Sequence, residues 1–184
     1  MSRPQWTLSS ELLADYRIFR VLQKRGRSPR TGEDVVYHAL ELADWVQIIP
    51  RTASGELIMV EQFRPGAGIS SLEFPAGLID EGEEPMVAGI RELEEETGYR
   101  TARAQLVGTI FPNPAIQDNR LHILYADACD PGGVINQDAG EDVNVRLVTE
   151  DQLPVLIRAG EINHALVLTA WQLYQLWRAE PVKS

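Results

Sequence analysis

Residues 77–99 read GLIDEGEEPMVAGIRELEEETGY, and this stretch decides how the chain is interpreted. Its pattern predicts a helix from Glu84 to Thr97. Gly98 follows as the C-terminal cap, because glycine adopts the left-handed conformation that ends a helix. Since successive helical residues are rotated by about 100°, residues spaced i, i+3 and i+4 share one face. Glu92, Glu95 and Glu96 have this spacing and should lie together.

The three glutamates point to a cation site. Like charges that converge on one helix face repel, and partial burial makes the repulsion several-fold stronger. A bound cation removes this cost, and carboxylates without nearby His or Cys favour Mg²⁺, Mn²⁺ or Ca²⁺ over zinc. A solvated acidic helix is the alternative. Met86, Ile90 and Leu93 are expected to face the core, while Glu94 is assigned no chemistry.

Composition limits the classes of partner. The chain has 184 residues, a net charge of −10 and 44% hydrophobic residues, which suits one domain or one domain with a small module. This charge disfavours nucleic acid and anionic membranes as partners. The most apolar stretch, 165–177, is too short to span a bilayer. With no basic-then-apolar leader and one cysteine, Cys129, the sequence predicts a cytoplasmic protein.

Strand and helix patterns interleave along the chain. They predict an α/β fold with a mixed sheet and helices packed against it. Further helices are expected at 150–159, where Thr149 and Gln152 form a capping-box pattern, and at 164–179, with Asn163 as N-cap. Strands are expected at 16–22, 35–40, 45–49, 57–63, 106–111, 122–128 and 143–148, and 25–32 reads as a turn-rich connector.

Residues 77–83 and 91–99 together resemble the Nudix box, and the only departure is Tyr99, where the family has an aliphatic residue. This resemblance implies a Nudix-type α/β/α sandwich that hydrolyses a nucleoside diphosphate linked to another moiety, with Mg²⁺ or, as a substitute, Mn²⁺. It implies that Glu92, Glu95 and Glu96 bind the metal and that Glu95 and Arg91 belong to the catalytic set. Arg91 holds the loop and its glutamates by ion pairs, helped by Glu83.

The flanking residues resemble one branch of that family. Residues 60–65 (VEQFRP) and 72–77 (LEFPAG) are similar to enzymes that cleave ADP-ribose and nucleoside diphosphate sugars. In that branch, the arginine matching Arg64 contacts the diphosphate, where a guanidinium fork suits phosphate oxygens. The residue matching Ala76 offers its backbone carbonyl to a metal, and the one matching Glu73 lies beside the site. Arg64 and Glu73 are therefore the expected substrate-binding residues.

A glutamate after the box completes the expected site. Residues 140–148 and 160–165 resemble the C-terminal part of ADP-ribose pyrophosphatases. There, a loop glutamate before the last strand binds metal or activates water. Glu141 is the matching residue, with Asp142 as second choice, and a solvated loop acid is the alternative for each. The stretch 132–140 is a candidate lid.

Residues 1–42 precede everything that carries the resemblance. In this branch such a leader forms a small β module exchanged within a homodimer, so we expect that module at 1–42, the Nudix domain at 43–184 and a homodimer. The expected activity is Mg²⁺-dependent hydrolysis of nucleoside diphosphate sugars of the ADP-ribose or GDP-mannose type. The alternatives are a non-catalytic module that senses nucleotide sugars and a Nudix hydrolase for another nucleoside diphosphate derivative, such as coenzyme A.

Overall fold

A computed structural model describes residues 5–137 and 142–179. The chain divides into two compact units. The first is Met1–Asp44 together with Phe111–Arg120, and the second is Trp45–Ile110 together with Leu121–Ser184. The sequence did not indicate that Phe111–Arg120 would join the first unit.

The first unit contains a three-stranded antiparallel sheet in the order β1-β2-β3, formed by Leu8–Asp15, Arg20–Arg27 and Asp34–Glu41. The predicted strand at 16–22 is wrong in position, because Tyr16 N–H donates to Phe19 O at 2.9 Å and closes a turn there. The predicted connector at 25–32 is wrong in its first part, because strand β2 continues to Arg27. Pairing with both neighbours satisfies the backbone of this basic segment, which its side chains alone do not suggest.

The second unit is built on a mixed sheet. Its path runs β11-β5-β4-β10-β8, while β6 pairs with β5, β7 with β4 and β9 with β10. Strand β10 is parallel to β4, and the other pairs are antiparallel. The strands are β4 Trp45–Thr52, β5 Leu57–Arg64, β6 Ile69–Glu73, β7 Ala76–Leu78, β8 Tyr99–Arg100, β9 Gln105–Ile110, β10 Leu121–Pro131 and β11 Val143–Val148.

Within the described residues, three helices cover this sheet: α1 Pro85–Thr97, α2 Leu153–Ala159 and α3 Ala165–Ala179. Because successive strand residues point to opposite faces, the central strands contribute side chains to a hydrophobic core on each face of the sheet. On one face, Val46, Ile48 and Leu124 pack with Ala88 and Leu93 of α1. On the other face, residues such as Ile49, Ile123 and Tyr125 pack with side chains of α2 and α3. The predicted α/β fold with a mixed sheet between helical layers is confirmed.

The helix ends follow the sequence with two differences. Helix α1 ends at Gly98, whose φ is 69° and whose N–H donates to Glu94 O at 2.8 Å, as predicted. The segment predicted as one helix at 150–159 opens with a 3-10 turn at Glu150–Gln152, because Pro154 cannot donate within the first turn. The prediction of Asn163 as N-cap is wrong: His164 Nδ1 accepts the Leu166 N–H at 3.1 Å, and the Asn163 side chain donates to Gly160 O.

Candidate active site

Helix α1 turns its carboxylates toward the sheet. Glu92 is 9% exposed and Glu96 only 2%, whereas Met86 is 49% exposed. The prediction that Met86 faces the core is therefore wrong. The helix approaches the sheet closely at Gly89, where an added Cβ would lie 2.4 Å from Leu124 Cδ1. The buried residues of α1 include two of the predicted ligands: Ala88, Gly89, Glu92, Leu93, Glu96 and Thr97.

Arg91 connects the box residues to one another. Its Nη1 donates to Glu92 Oε1 at 2.8 Å and to Glu95 Oε2 at 3.1 Å. Its Nη2 also donates to the Leu78 carbonyl at 3.0 Å, which ties the helix to the end of β7. The guanidinium therefore sets the positions of two predicted metal ligands and of the strand before the helix.

Glu83 is the third carboxylate on Arg91. The guanidinium donates from Nε to Glu83 Oε1 at 3.0 Å and from Nη2 to Oε2 at 2.9 Å, a bidentate pair. Oε2 also accepts the Asp80 N–H at 3.1 Å, which closes the loop before the helix. Hydrogen bonding to Arg91 lowers the pKa of Glu83 below its ordinary value, and the same contact raises the pKa of Arg91.

Strand β7 approaches the helix at Ala76, which carries only a methyl group, and at Gly77, which has no side chain. The Ala76 N–H donates to Glu96 Oε2 at 3.3 Å, so the backbone of Ala76 lies beside this carboxylate. At Gly77, an added Cβ would lie 2.1 Å from Glu92 Oε1. Glycine is required here because the Glu92 carboxylate occupies the space that any side chain would fill. The structure thus places Ala76, Glu92 and Glu96 together.

Arg64 and Glu73 form a second bidentate pair. Arg64 Nε donates to Glu73 Oε1 and Nη2 to Glu73 Oε2, each at 2.9 Å. The Glu73 side chain is 1% exposed and that of Arg64 is 36% exposed. The buried carboxylate therefore orients a guanidinium that stays accessible to solvent. Both expected substrate-binding residues lie together, and Glu73 holds Arg64.

The segment after β10 docks on the C-terminal end of α1. Gly133 N–H donates to Gly98 O at 2.9 Å, and Asn136 N–H donates to Glu95 O at 2.9 Å. Gln137 Nε2 lies 3.0 Å from Val143 O and 3.5 Å from Glu96 O. These contacts satisfy carbonyls that a helix end leaves unpaired. Sequence reasoning missed Asn136 and Gln137, because polar residues in a glycine-rich stretch carry no local signal of such docking.

The predicted loop glutamate and the predicted metal ligands differ in what the structure describes. Glu141 lies outside the described residues, as do 138–140 of the candidate lid. Within 5–137 and 142–179, no group of three or more His, Cys, Asp or Glu side chains is arranged to hold a metal ion. Arg91 Nη1 lies between the Glu92 and Glu95 carboxylates instead. Each of these contacts uses one oxygen of the carboxylate, Oε1 of Glu92 and Oε2 of Glu95.

The comparison with protein families matches residues 42–170 to the NUDIX domain. An ADP-ribose pyrophosphatase of Bacillus subtilis is 33% identical over 138 residues, which cover 73% of each chain. An ADP-sugar pyrophosphatase of Mus musculus is 44% identical over 86 residues, which cover 45% of this chain and 39% of the mouse protein. A methanol dehydrogenase activator of Bacillus methanolicus is 31% identical over 73% of each chain.

Among solved structures, the crystal structure of an ADP compounds hydrolase superposes with a TM-score of 0.83. The two chains are 24% identical, and the match covers 96% of each. This likeness concerns the fold.

Proposed function

We propose that this chain, which belongs to the Nudix family, hydrolyses the diphosphate of nucleoside diphosphate sugars of the ADP-ribose or GDP-mannose type. The products are a nucleoside monophosphate and a sugar phosphate. The observation that carries the proposal is the juxtaposition of a buried carboxylate cluster on α1 with the Ala76–Gly77 backbone of β7. Relatives described as ADP-ribose and ADP-sugar pyrophosphatases support the substrate class.

The donor set suits Mg²⁺, with Mn²⁺ as a substitute. Glu92, Glu95 and Glu96 offer carboxylate oxygens, Ala76 offers its backbone carbonyl, and oxygen ligands are those that Mg²⁺ prefers. Arg91 Nη1 already contacts two of these carboxylates, so part of their mutual repulsion is offset before an ion binds. When bound, the ion supplies positive charge that offsets the diphosphate and makes water more acidic.

In this proposal, side chains of this chain carry out the proton transfer and position the carboxylates. Water attacks one phosphorus atom of the diphosphate, the bridging P–O bond breaks, and the leaving phosphate departs as the second product. Glu141 accepts the proton of the attacking water in this proposal, with Asp142 or Glu95 as the other candidates. Arg91 is a positioning residue, because its hydrogen bonds reach Glu83, Glu92 and Glu95.

Arg64 binds the diphosphate of the substrate in this proposal. Its fork toward Glu73 uses Nε and Nη2, and its side chain remains accessible to solvent. A guanidinium held in a defined orientation binds phosphate oxygens with less loss of entropy than a mobile one. It also stabilises the charge that grows on these oxygens during P–O cleavage. Glu73 contributes to substrate binding indirectly, because it holds Arg64 in position.

Product identification tests the proposal. Protein incubated with ADP-ribose and Mg²⁺ should release AMP and ribose 5-phosphate, detected by chromatography. A panel that adds GDP-mannose, UDP-glucose, coenzyme A and a nucleoside triphosphate assigns the preferred base and sugar. Turnover of coenzyme A alone would reject the nucleotide-sugar assignment and leave the Nudix chemistry standing.

A non-catalytic nucleotide-sugar sensor is the rival function. It predicts binding of ADP-ribose in calorimetry with no AMP formed in the presence of Mg²⁺ or Mn²⁺. The retention of Arg91 together with Glu92, Glu95 and Glu96 favours the enzyme, since sensing alone does not require this costly cluster of like charges.

A homodimer and a cytoplasmic location complete the proposal. In the first unit, five apolar side chains of β1 and β3 are 40–51% exposed, which supports a protein partner on this sheet: Leu8, Leu12, Leu13, Val36 and Tyr37. Light scattering after gel filtration tests the dimer. Nucleic acid and membranes are not proposed as partners. No helix within the described part of the chain is long and apolar enough to cross a bilayer.

A further inference from the structure

Two polar side chains whose oxygen atoms are buried lie opposite each other on β5 and β6. In the register of these strands, Gln62 pairs with Ser71. Within the described residues, Gln62 Oε1 and Ser71 Oγ are buried atoms without a hydrogen-bond partner, and Ser71 is only 2% exposed. A buried polar atom without a partner costs about 1–3 kcal/mol, so two such atoms at one paired position of a sheet require an explanation. The pair Gln62–Ser71 is called the rung.

The Arg64–Glu73 pair lies over this rung. Arg64 pairs with Ile69 in the register, and Glu73 pairs with Val60, so the two side chains start on opposite sides of Gln62 and Ser71. Val60 and Arg64 are about 13 Å apart along the strand. All these side chains share one face because residues two apart on a strand point the same way. To make its two 2.9 Å hydrogen bonds with Glu73, Arg64 must cross the rung.

The rung is also linked to the catalytic helix. Gln62 pairs with Val143 of β11 on its other side. The Val143 carbonyl accepts from Gln137 Nε2, which also lies 3.5 Å from Glu96 O. The pair Gln62–Ser71 therefore lies between the arginine proposed for the diphosphate and the C-terminal end of α1.

We propose that Gln62 and Ser71 form a subsite for a ribose hydroxyl of the substrate. Gln62 Oε1 is an acceptor, and the Ser71 hydroxyl both donates and accepts, a combination that complements a hydroxyl group. Both groups are neutral and lie beside the buried Glu73 carboxylate, so a second anion is disfavoured there. A ribose hydroxyl that reaches this pair beside Arg64 takes these hydrogen bonds, while Glu73 keeps the guanidinium in place for the diphosphate. This inference rests on the proposed function.

Paired variants and paired substrates test the subsite. Ser71→Ala and Gln62→Leu remove the two polar groups with little change in shape. Ser70→Ala and Glu61→Gln are matched controls, since both residues are exposed neighbours on the opposite face of the same strands. Each protein is assayed with ADP-ribose, with an analogue lacking a hydroxyl on the terminal ribose, and with one lacking a hydroxyl on the adenosine ribose.

Each rung variant should lose roughly tenfold in kcat/KM for ADP-ribose and nothing for one deoxy analogue, which identifies the ribose that is bound. The control variants should behave as the wild type. Thermal unfolding gives a readout independent of activity: the midpoint of Ser71→Ala should stay unchanged or rise, because a buried hydroxyl without a partner is removed.

Four outcomes overturn the subsite. Equal losses of kcat/KM on all three substrates would show that the rung only positions Arg64. Equal losses together with a lowered unfolding midpoint would show that the rung has a structural role. Unchanged kinetics would show that no substrate group reaches the rung. If the wild type turns over none of the three compounds, the proposed function fails, and the subsite fails with it.

Discussion

The Arg91 guanidinium donates two hydrogen bonds, of 3.0 and 2.9 Å, to the carboxylate of Glu83. This pair joins the loop before α1 to the middle of the helix. The same guanidinium also reaches Glu92 and Glu95, so the geometry of the proposed metal ligands depends on a residue that carries the opposite charge. Loss of the Glu83 contact should therefore affect both stability and the site.

The Glu83 pair makes stability depend on pH. The Glu83→Gln variant should lose about 1–2 kcal/mol of unfolding free energy at neutral pH, since a charge-assisted bidentate pair is broken. Because Arg91 lowers the folded-state pKa of Glu83 below 4.5, the contribution is fully present above the ordinary pKa and is lost as the pH falls through the folded-state value. Denaturant unfolding of both proteins between pH 3 and 7 checks this. A difference that grows in acid would contradict it.

The α1 carboxylates should be essential for turnover and dispensable for folding. Glu92→Gln and Glu96→Gln should each lower kcat by orders of magnitude, because an amide is a poor ligand for a hard cation. Circular dichroism should remain that of the wild type. Glu84→Gln is the matched control, since its side chain is exposed and makes no cap hydrogen bond at the start of the same helix. Normal turnover in both site variants would reject the metal site.

Removal of Arg64 should leave a buried charge without compensation. The Arg64→Ala variant is expected to lose about 2–3 kcal/mol of stability, because Glu73 is 1% exposed and loses both hydrogen bonds. Adding Glu73→Gln should restore most of this stability but not the kcat/KM. Denaturant unfolding of the two single variants and the double variant gives the coupling energy. Additive effects would mean that the two side chains do not interact in solution.

Gly77 should tolerate no side chain. In the Gly77→Ala variant, the new Cβ would lie 2.1 Å from Glu92 Oε1, so the carboxylate must move. Turnover should fall at least tenfold, as expected when a catalytic group is displaced by about 1 Å. Gly66→Ala is the control, because nothing lies within 4 Å of its added Cβ. Steady-state kinetics at saturating Mg²⁺ compares the two variants. Equal activity in both would show that Glu92 moves without consequence.

The boundaries of α1 and the membership of the Nudix family were readable from the sequence, because both depend on local spacing. Gly98 ends the helix by its own conformational freedom, and the box is a continuous pattern. The sequence predicted only in part which residues of α1 are buried. Periodicity assigned Met86 to the core, whereas Met86 is 49% exposed, and the helix, which approaches Leu124 closely at Gly89, buries Glu92 and Glu96. A small residue opposite a strand from elsewhere in the chain carries no signal of its own.

The order of the amino acids supplies the groups for the chemistry: oxygen ligands on one helix, an arginine at position 64 and a backbone carbonyl at Ala76. How these groups are paired follows from the three-dimensional fold, in which Arg91 is shared among three glutamates and Arg64 is held by Glu73. The fold also places Gln62 against Ser71. These pairings depend on strand register and helix rotation, which are set by long-range packing and are not encoded locally.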